Sequence, residues 1–334
     1  MNTPLIPTGM KCMAVLLTLG LLAACGSKDS PGTAATQKPA ARQKSGSEPP
    51  RDATAAEVAA EARDKLKCPV KSKLAPRAAN APVDDIVGVR PGMGHDEAAA
   101  TVLCTHDLLV VTEDARGRFQ INTYGEKLRQ GFGARFAEPR VHVQKTARDY
   151  ARDLQYRDHN RAAAQIPPGT ARWYVGTMGV PGEERVVHAA REEGYEEGRN
   201  PTIASVVEAL VGKYGPLTER AGQQGSGEQN LTWANDPFGR RITETSPLFR
   251  QCNAIAHFGA ALSFSPDCGI VVAARIVPVR ENPALAGILQ VVVVDQAGAY
   301  EALQKTEQWF AQQDAARRAK EVEAAGRNAG APTL

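Results

Sequence analysis

The chain has 334 residues, of which 43% are hydrophobic, 23% charged and 5% aromatic. These proportions are close to those of globular proteins, and they exclude both wholesale disorder and a membrane-embedded protein. Forty Lys and Arg residues against 37 Asp and Glu residues give a formal charge of +3. This near balance of charge does not by itself indicate a nucleic-acid partner.

The amino-terminal segment has the pattern of a secretory signal. Lys11 is the only charged residue before Cys25, and residues 12–22 form an apolar run of eleven residues, CMAVLLTLGLL. As a helix, this run would cross only about half of the hydrocarbon layer of a bilayer. A positive start, a short apolar core and small residues before a cleavage point are typical of a signal peptide, here residues 1–24.

The residues that follow the apolar run, Leu22-Ala23-Ala24-Cys25, resemble the lipobox of bacterial lipoproteins. The resemblance implies cleavage before Cys25, a thioether-linked diacylglycerol on its sulfur and an acyl group such as palmitate on its amine. Retention in the inner membrane usually goes with Asp at the next position, where this chain has Gly26. The resemblance therefore implies a protein anchored in the outer membrane by lipid and facing the periplasm.

Residues 25–51 are expected to be the lipidated cysteine and a disordered tether. Residues 26–50 contain no large apolar side chain, so they cannot bury enough surface to offset the entropy lost on ordering. A coil of this length spans about 25–30 Å, which would hold the folded part near the bilayer.

Four cysteines remain after the signal and the lipidated position: Cys68, Cys104, Cys252 and Cys268. In the oxidising periplasm they predict two disulfides, for which three connectivities exist. We favour Cys68–Cys104 and Cys252–Cys268, since each pair is close in sequence. A metal site is the alternative, but no Cys-x-x-Cys spacing exists and the six histidines are scattered. We expect neither a metal nor a cofactor.

Periodicity and turn signals predict an α+β fold with antiparallel sheets and short helices, arranged as two modules. In the amino-terminal module, residues 52–165, we expect helices over 52–67, 95–104 and 144–164 and strands over 107–112 and 118–124. In the carboxy-terminal module, residues 166–330, we expect a helix over 203–214, a closing helix over 299–326 and strands over 173–178, 185–191, 228–234, 240–243, 254–264, 268–277 and 288–295. Tyr300, Leu303, Trp309 and Phe310 would dock the closing helix.

Gly92-Met93 precedes the helix expected over 95–104. Leu210, Gly212, Gly215 and Pro216 mark the end of the helix expected over 203–214, and Trp233 follows on a strand. These two segments resemble the SmpA/OmlA (BamE-like) module, the small lipoprotein subunit of the β-barrel assembly machinery. The resemblance implies two related αβββ modules and a non-enzymatic scaffold or partner-binding role at the outer membrane. Alternatively, Met93 and Trp233 are simply core residues.

Known catalytic motifs are absent from the sequence. It has no P-loop, no His-Glu-x-x-His and no Gly-x-Ser-x-Gly. The paired acids Glu183-Glu184, Glu192-Glu193 and Glu196-Glu197 could do acid–base chemistry or bind a cation, but such runs are more often solvated loops. We therefore predict no catalytic residue.

The favoured hypothesis is a lipid-anchored, non-catalytic binding or scaffold module that recognises another envelope protein through exposed strand edges or loops. One alternative is an envelope hydrolase, with Glu184 or His188 meeting a second polar group in a deep pocket. Another is a small-ligand or cell-wall binder with a groove lined by Trp173, Tyr174 or Trp233.

Overall fold

The computed structural model describes residues 52–112, 119–141, 146–148, 166–222, 226–252, 264–328 and 330. The expected signal peptide and tether lie outside the described residues. So do most of the helix expected over 144–164 and all but the last residue of the strand expected over 254–264.

The described chain forms five helices and eight strands. The helices are α1 (Ala55–Ala62), α2 (His95–Leu103), α3 (Ile203–Tyr214), α4 (Phe249–Cys252) and α5 (Gln296–Asn328). The strands are β1 (Leu109–Thr112), β2 (Gly131–Phe136), β3 (Ala171–Met178), β4 (Arg185–Gly194), β5 (Glu219–Gly222), β6 (Gln229–Ala234), β7 (Ile270–Val279) and β8 (Asn282–Asp295). They form one antiparallel sheet in the order β1-β2-β3-β4-β8-β7-β6-β5, which confirms the predicted α+β class.

The strand order divides this sheet into two similar halves. In each half a helix, α2 or α3, precedes four consecutive antiparallel strands that run from an edge of the sheet to its centre. At the centre β4 pairs with β8, with Ala190 opposite Val292. Each half therefore has one strand more than the expected αβββ module. Residues 165 and 166, the expected module boundary, fall between β2 and β3, which pair with each other.

Both faces of the central strands are buried. Val291 and Val293 of β8 join the apolar cluster that includes residues of α2 and α3, while Val292 and Val294 pack with Tyr174 on the opposite face. A strand covered on both sides needs apolar residues at successive positions. This is why the run of four valines forms one strand.

Local signals define α3. The hydroxyl of Thr202 accepts a hydrogen bond from the Ser205 amide at 3.1 Å, and Gly215 ends the helix with φ of 83°. Val206 and Leu210 lie one turn apart and are buried in the first-face cluster. The predicted helix over 203–214 is confirmed.

The closing helix, α5, packs its first half on the second face of the sheet. Ala299 contacts a cluster that contains Met178 and Val187, and Phe310 is buried. Of the residues expected to dock this helix, Phe310 does so, but the expectation for Tyr300 is wrong because its side chain is exposed.

Two disulfides join the four cysteines in the predicted pairs. Cys68 and Cys104 have Cα atoms 5.6 Å apart, and Cys252 and Cys268 have Cα atoms 5.5 Å apart. The first disulfide fixes the segment after α1 to the end of α2. The second fixes α4 beside the start of β7.

Four strand assignments differ from the sequence-based expectation. The described residues 119–124 contain no strand, and within 240–243 only an isolated bridge between Asn235 and Arg241 is formed. By contrast β2 and β5 were not expected. The β2 sequence contains two glycines, which are disfavoured in strands, but a Cβ at Gly131 would lie 2.1 Å from the carbonyl oxygen of Val175. Close approach to β3 therefore requires the residue that propensity disfavours.

Candidate functional site

A tight turn follows β6 and is organised by one buried carboxylate. Oδ1 of Asp236 accepts hydrogen bonds from the amides of Phe238 and Arg240, both at 2.9 Å, and Oδ2 accepts one from Nε of Arg240 at 2.6 Å. The amide of Gly239, with φ of 77°, donates to the Asp236 carbonyl. Burial opposes the charge of Asp236, but the hydrogen bonds from Arg240 and Phe238 hold its pKa below the usual value. The turn is therefore a rigid element.

This turn holds Phe238 in solvent. Its side chain is 83% exposed, and the guanidinium carbon of Arg240 lies 5.2 Å from the ring centroid. This distance is within the range of a cation–π contact. An aromatic ring held outside the core by a fixed turn contributes little to folding and is accessible to a partner, and aromatic residues are frequent among those that dominate binding energy at interfaces.

A cleft of about 290 Å³ lies beside the turn, with both polar and apolar residues in its lining. The lining includes Pro82, Tyr214, Pro216, Trp233, Gly239 and Arg241. The turn packs against one wall, since a Cβ at Gly239 would lie 3.2 Å from Cδ of Pro82. We call this feature the Trp233 cleft.

The aromatic walls of the Trp233 cleft are fixed by hydrogen bonds. Nε1 of Trp233 donates to the Gly215 carbonyl at 2.8 Å, and the hydroxyl of Tyr214 donates to the Asp85 carbonyl at 3.0 Å. The two ring centroids are 5.2 Å apart. Burial, with a contribution from the Asp85 carboxylate, raises the pKa of Tyr214 above its usual range. The phenol therefore remains a neutral donor, and the cleft is preorganised.

The described lining of the Trp233 cleft carries a positive charge with no carboxylate partner. Arg241 is the only charged residue among its described lining residues. Lys213 lies 5.1 Å above the Tyr214 ring and pairs with Asp85 at 3.0 Å. Arg241 donates to the Leu217 carbonyl at 3.3 Å and pairs with no carboxylate of the described chain.

The residues expected to support a hydrolase are held in structural contacts. The buried carboxylate of Glu184 accepts hydrogen bonds from the amides of Arg129 at 3.2 Å and Gly182 at 3.0 Å, and so closes the β3–β4 turn. His188 is 1% exposed and its ring lies against Tyr174 and Phe119. Neither Glu184 nor His188 lines a cleft identified in the described chain.

The aromatic residues expected to line a groove are separated by the fold. Trp173 and Tyr174 are buried on opposite faces of β3, whereas Trp233 lines the cleft described above. The sequence predicts strands on both sides of residues 235–239, and hence a turn between them, but indicates no role for Phe238. The available signal was the Asp-Pro-Phe-Gly order, which combines a turn with an aromatic residue inside it.

The acidic pairs also separate in space. Glu192 is 2% exposed on the second face of the sheet, while Glu193 pairs with Arg191 at 2.6 Å on the first. Glu192 belongs to a polar row of residues that are opposite one another on five adjacent strands: Arg172, Glu192, Gln290, Arg275 and Asn230.

Hydrogen bonds connect the members of this polar row. Glu192 accepts from Nε of Arg172 and, at 2.6 Å, from Nε2 of Gln290. Arg275 donates two bonds of 2.7 Å to Glu228, two residues from Asn230. A buried carboxylate needs such donors to offset its desolvation, so we assign Glu192 and Glu228, with the side chains that donate to them, a structural role.

Within the described ranges, no three His, Cys, Asp or Glu side chains are grouped so that they could hold a metal ion. Across the same residues, no helix is both long enough and apolar enough to span a membrane. Comparison of the chain with protein-family models, curated proteins and solved structures gives no match.

Proposed function

We propose that this protein is a lipid-anchored envelope protein that binds another envelope protein without catalysing a reaction. The observation that carries the proposal is the exposed ring of Phe238, fixed by Asp236 beside the preorganised Trp233 cleft. Aromatic and arginine side chains dominate the binding energy of protein interfaces. A rigid turn and hydrogen-bonded walls also reduce the entropy lost when a partner binds.

The proposed location rests on the lipobox at Cys25 and is supported by the two disulfides, which are typical of proteins in oxidising compartments. Acylation at Cys25 would supply the buried chains that stable membrane anchoring needs. The expected tether would then hold the folded part near the outer membrane, where other envelope proteins are accessible.

The anchor is tested by fractionation of cell envelopes. Cys25→Ser removes the sulfur that would carry the lipid, so we expect the variant to leave the outer-membrane fraction. Wild-type protein in the same cells is the control. A variant that remains in the outer-membrane fraction would contradict lipid anchoring at this residue.

The binding surface is tested by photo-crosslinking in intact cells. The photoreactive residue p-benzoylphenylalanine replaces Phe238 in one variant and Val322, which is 73% exposed on α5, in a matched control. We expect a discrete protein adduct from position 238 and none from position 322. No adduct at 238, or the same adduct from both positions, would rule out the proposed surface.

The Trp233 cleft also supports a second candidate, a binder of small cell-wall fragments. Its volume of about 290 Å³ is near the lower limit for small-ligand sites. This candidate predicts a saturable NMR shift of the Trp233 indole signal on titration with soluble muropeptides, with no change at Trp309. A hydrolase gains no comparable support, since Glu184 is buried and hydrogen-bonded to two backbone amides and His188 is buried.

A further inference from the structure

The chemistry around Phe238 defines what the partner must present. Arg240 is 76% exposed, and its contact with Asp236 is made through Nε. Its terminal nitrogens have no acceptor in the described chain. Arg241, at the rim of the Trp233 cleft, also has no carboxylate partner there. Arg241 thus keeps an uncompensated charge for a carboxylate, while Arg240, whose charge is shared with Asp236, keeps its terminal N–H groups. Arginine forms its strongest hydrogen bonds with carboxylates.

The Trp233 cleft, which Arg241 lines, is suited to a short apolar part of an extended segment. Its lining includes Tyr214, Pro82, Pro216 and the small exposed part of Trp233. Grooves lined by aromatic rings accept extended, proline-containing chains, because such chains lose little entropy on binding. The volume of about 290 Å³ accommodates one or two side chains rather than a whole helix.

We infer that the partner of this surface is an acidic, extended protein segment that places a proline or another apolar side chain in the Trp233 cleft and carboxylates against Arg240 and Arg241. This inference rests on the proposed protein-binding function and specifies the partner's chemistry. Asp236 and Asp85 do not repel such a segment, because their carboxylates are already paired with Arg240 and Lys213.

An anionic membrane surface is the competing source of negative charge. A single exposed aromatic residue buries little area in a bilayer and would not replace an anchor. A concave cleft also leaves a void against a flat bilayer, and unfilled contacts contribute nothing to binding. The geometry therefore favours a protein segment.

The test combines the crosslinker at position 238 with charge changes at Arg241. Arg241→Glu should lower the yield of the protein adduct about tenfold, the loss expected when a like charge faces a carboxylate. Arg241→Lys should retain most of the adduct. Arg327→Glu, a charge reversal on the last turn of α5, should leave the yield unchanged.

Mass spectrometry of the adduct identifies the crosslinked segment. We expect a net negative charge and an apolar or proline residue next to the crosslink. A neutral or basic segment, an adduct yield that is insensitive to Arg241→Glu, or an adduct to phosphatidylglycerol in place of protein would overturn the inference. A neutral or basic segment, or a yield that is insensitive to Arg241→Glu, would leave the proposed function intact. The absence of any adduct at position 238 would contradict both the proposed function and this inference.

Peptide binding in vitro, with the lipidated protein in detergent, distinguishes an acidic partner from a basic one. The probes are a fluorescent peptide of sequence EEPLPPEE and its lysine counterpart KKPLPPKK. The acidic peptide should bind more tightly, and Arg241→Glu should reverse the order while Arg327→Glu preserves it. Equal binding of the two peptides, or binding of neither, would contradict the inference.

Discussion

Gly176 of β3 lies directly opposite His188 of β4, and the imidazole ring occupies the space that a side chain at residue 176 would need. A Cβ at Gly176 would be 2.0 Å from Cε1 of His188. The ring is stacked with Tyr174, with centroids 5.5 Å apart, at the point where the register of β3 and β4 shifts. Glycine at residue 176 therefore leaves room for the His188 ring next to the register shift between β3 and β4.

Gly176→Ala should destabilise the protein by about 2–3 kcal/mol, because the buried ring must move to relieve the overlap. Gly212→Ala is the matched control, since residue 212 is in α3 and a Cβ there meets no atom within 4 Å. This control should gain about 0.5–1 kcal/mol from helix propensity. Urea unfolding of both variants measures the difference.

Adding His188→Ala to Gly176→Ala should recover part of the loss, because it removes the group that the new methyl contacts. Equal unfolding free energies for Gly176→Ala and Gly212→Ala would show that the space beside His188 is not constrained.

Glu192→Gln should cost about 3 kcal/mol, because it leaves the Arg172 guanidinium beside a neutral group in a buried position. Glu193→Gln makes the same change at the next residue, whose side chain is partly exposed. Its expected cost is within about 1 kcal/mol. Chemical denaturation of the two variants tests whether the polar row is structural, and equal losses would argue that it is not.

Asp236→Asn should lower stability by about 1 kcal/mol at neutral pH, since the amide keeps the acceptor Oδ1 but loses the charge that pairs with the exposed Arg240. The pKa of Asp236 is lowered in the folded state. The carboxylate therefore stabilises the fold fully above the ordinary pKa of aspartate, and this contribution disappears as pH falls through the lowered value.

Thermal unfolding from pH 7 to pH 2 measures that dependence. The difference between wild type and Asp236→Asn should be constant down to about pH 4 and vanish at lower pH. Asp64→Asn, at an exposed residue, provides the control. A pH-independent difference would mean that the charge of Asp236 does not stabilise the turn.

Replacement of Cys252 and Cys268 by serine should cost about 3 kcal/mol, and replacement of Cys68 and Cys104 about 4 kcal/mol. The order follows from sequence separations of 16 and 36 residues, since a longer closed loop restricts the unfolded chain more. Calorimetry of the two double variants gives the comparison. A larger loss of stability on removal of Cys252–Cys268, which closes the shorter loop, would indicate that the disulfide acts on the folded state.

Features fixed within a few residues were predictable from the sequence. The helix α3 begins at Thr202, ends before Gly215 and places its apolar residues one turn apart, so short-range signals define it completely. The valines of β8 and the turn at 235–239 are likewise local patterns. The cysteine pairs were favoured for the same reason, namely their proximity along the chain.

Short strands and the candidate site depend on residues that are distant in sequence. The strand β2 contains glycine where it lies close to β3, because a side chain at Gly131 would overlap the backbone of β3. This requirement is visible only across the sheet. Glu192 and Glu193 look alike in the sequence, yet the pleat sends one into a buried network and the other to the opposite face.

The sequence by itself determined the lipobox pattern at Cys25, the α+β class and the turn that contains Phe238, because each depends on neighbouring residues. Only the tertiary structure decided that Phe238 is exposed and that Pro82, Tyr214 and Trp233 form a cleft beside it. These residues lie on separate segments, and it is the packing of α3 and the β6 turn against the chain around Pro82 that brings them together.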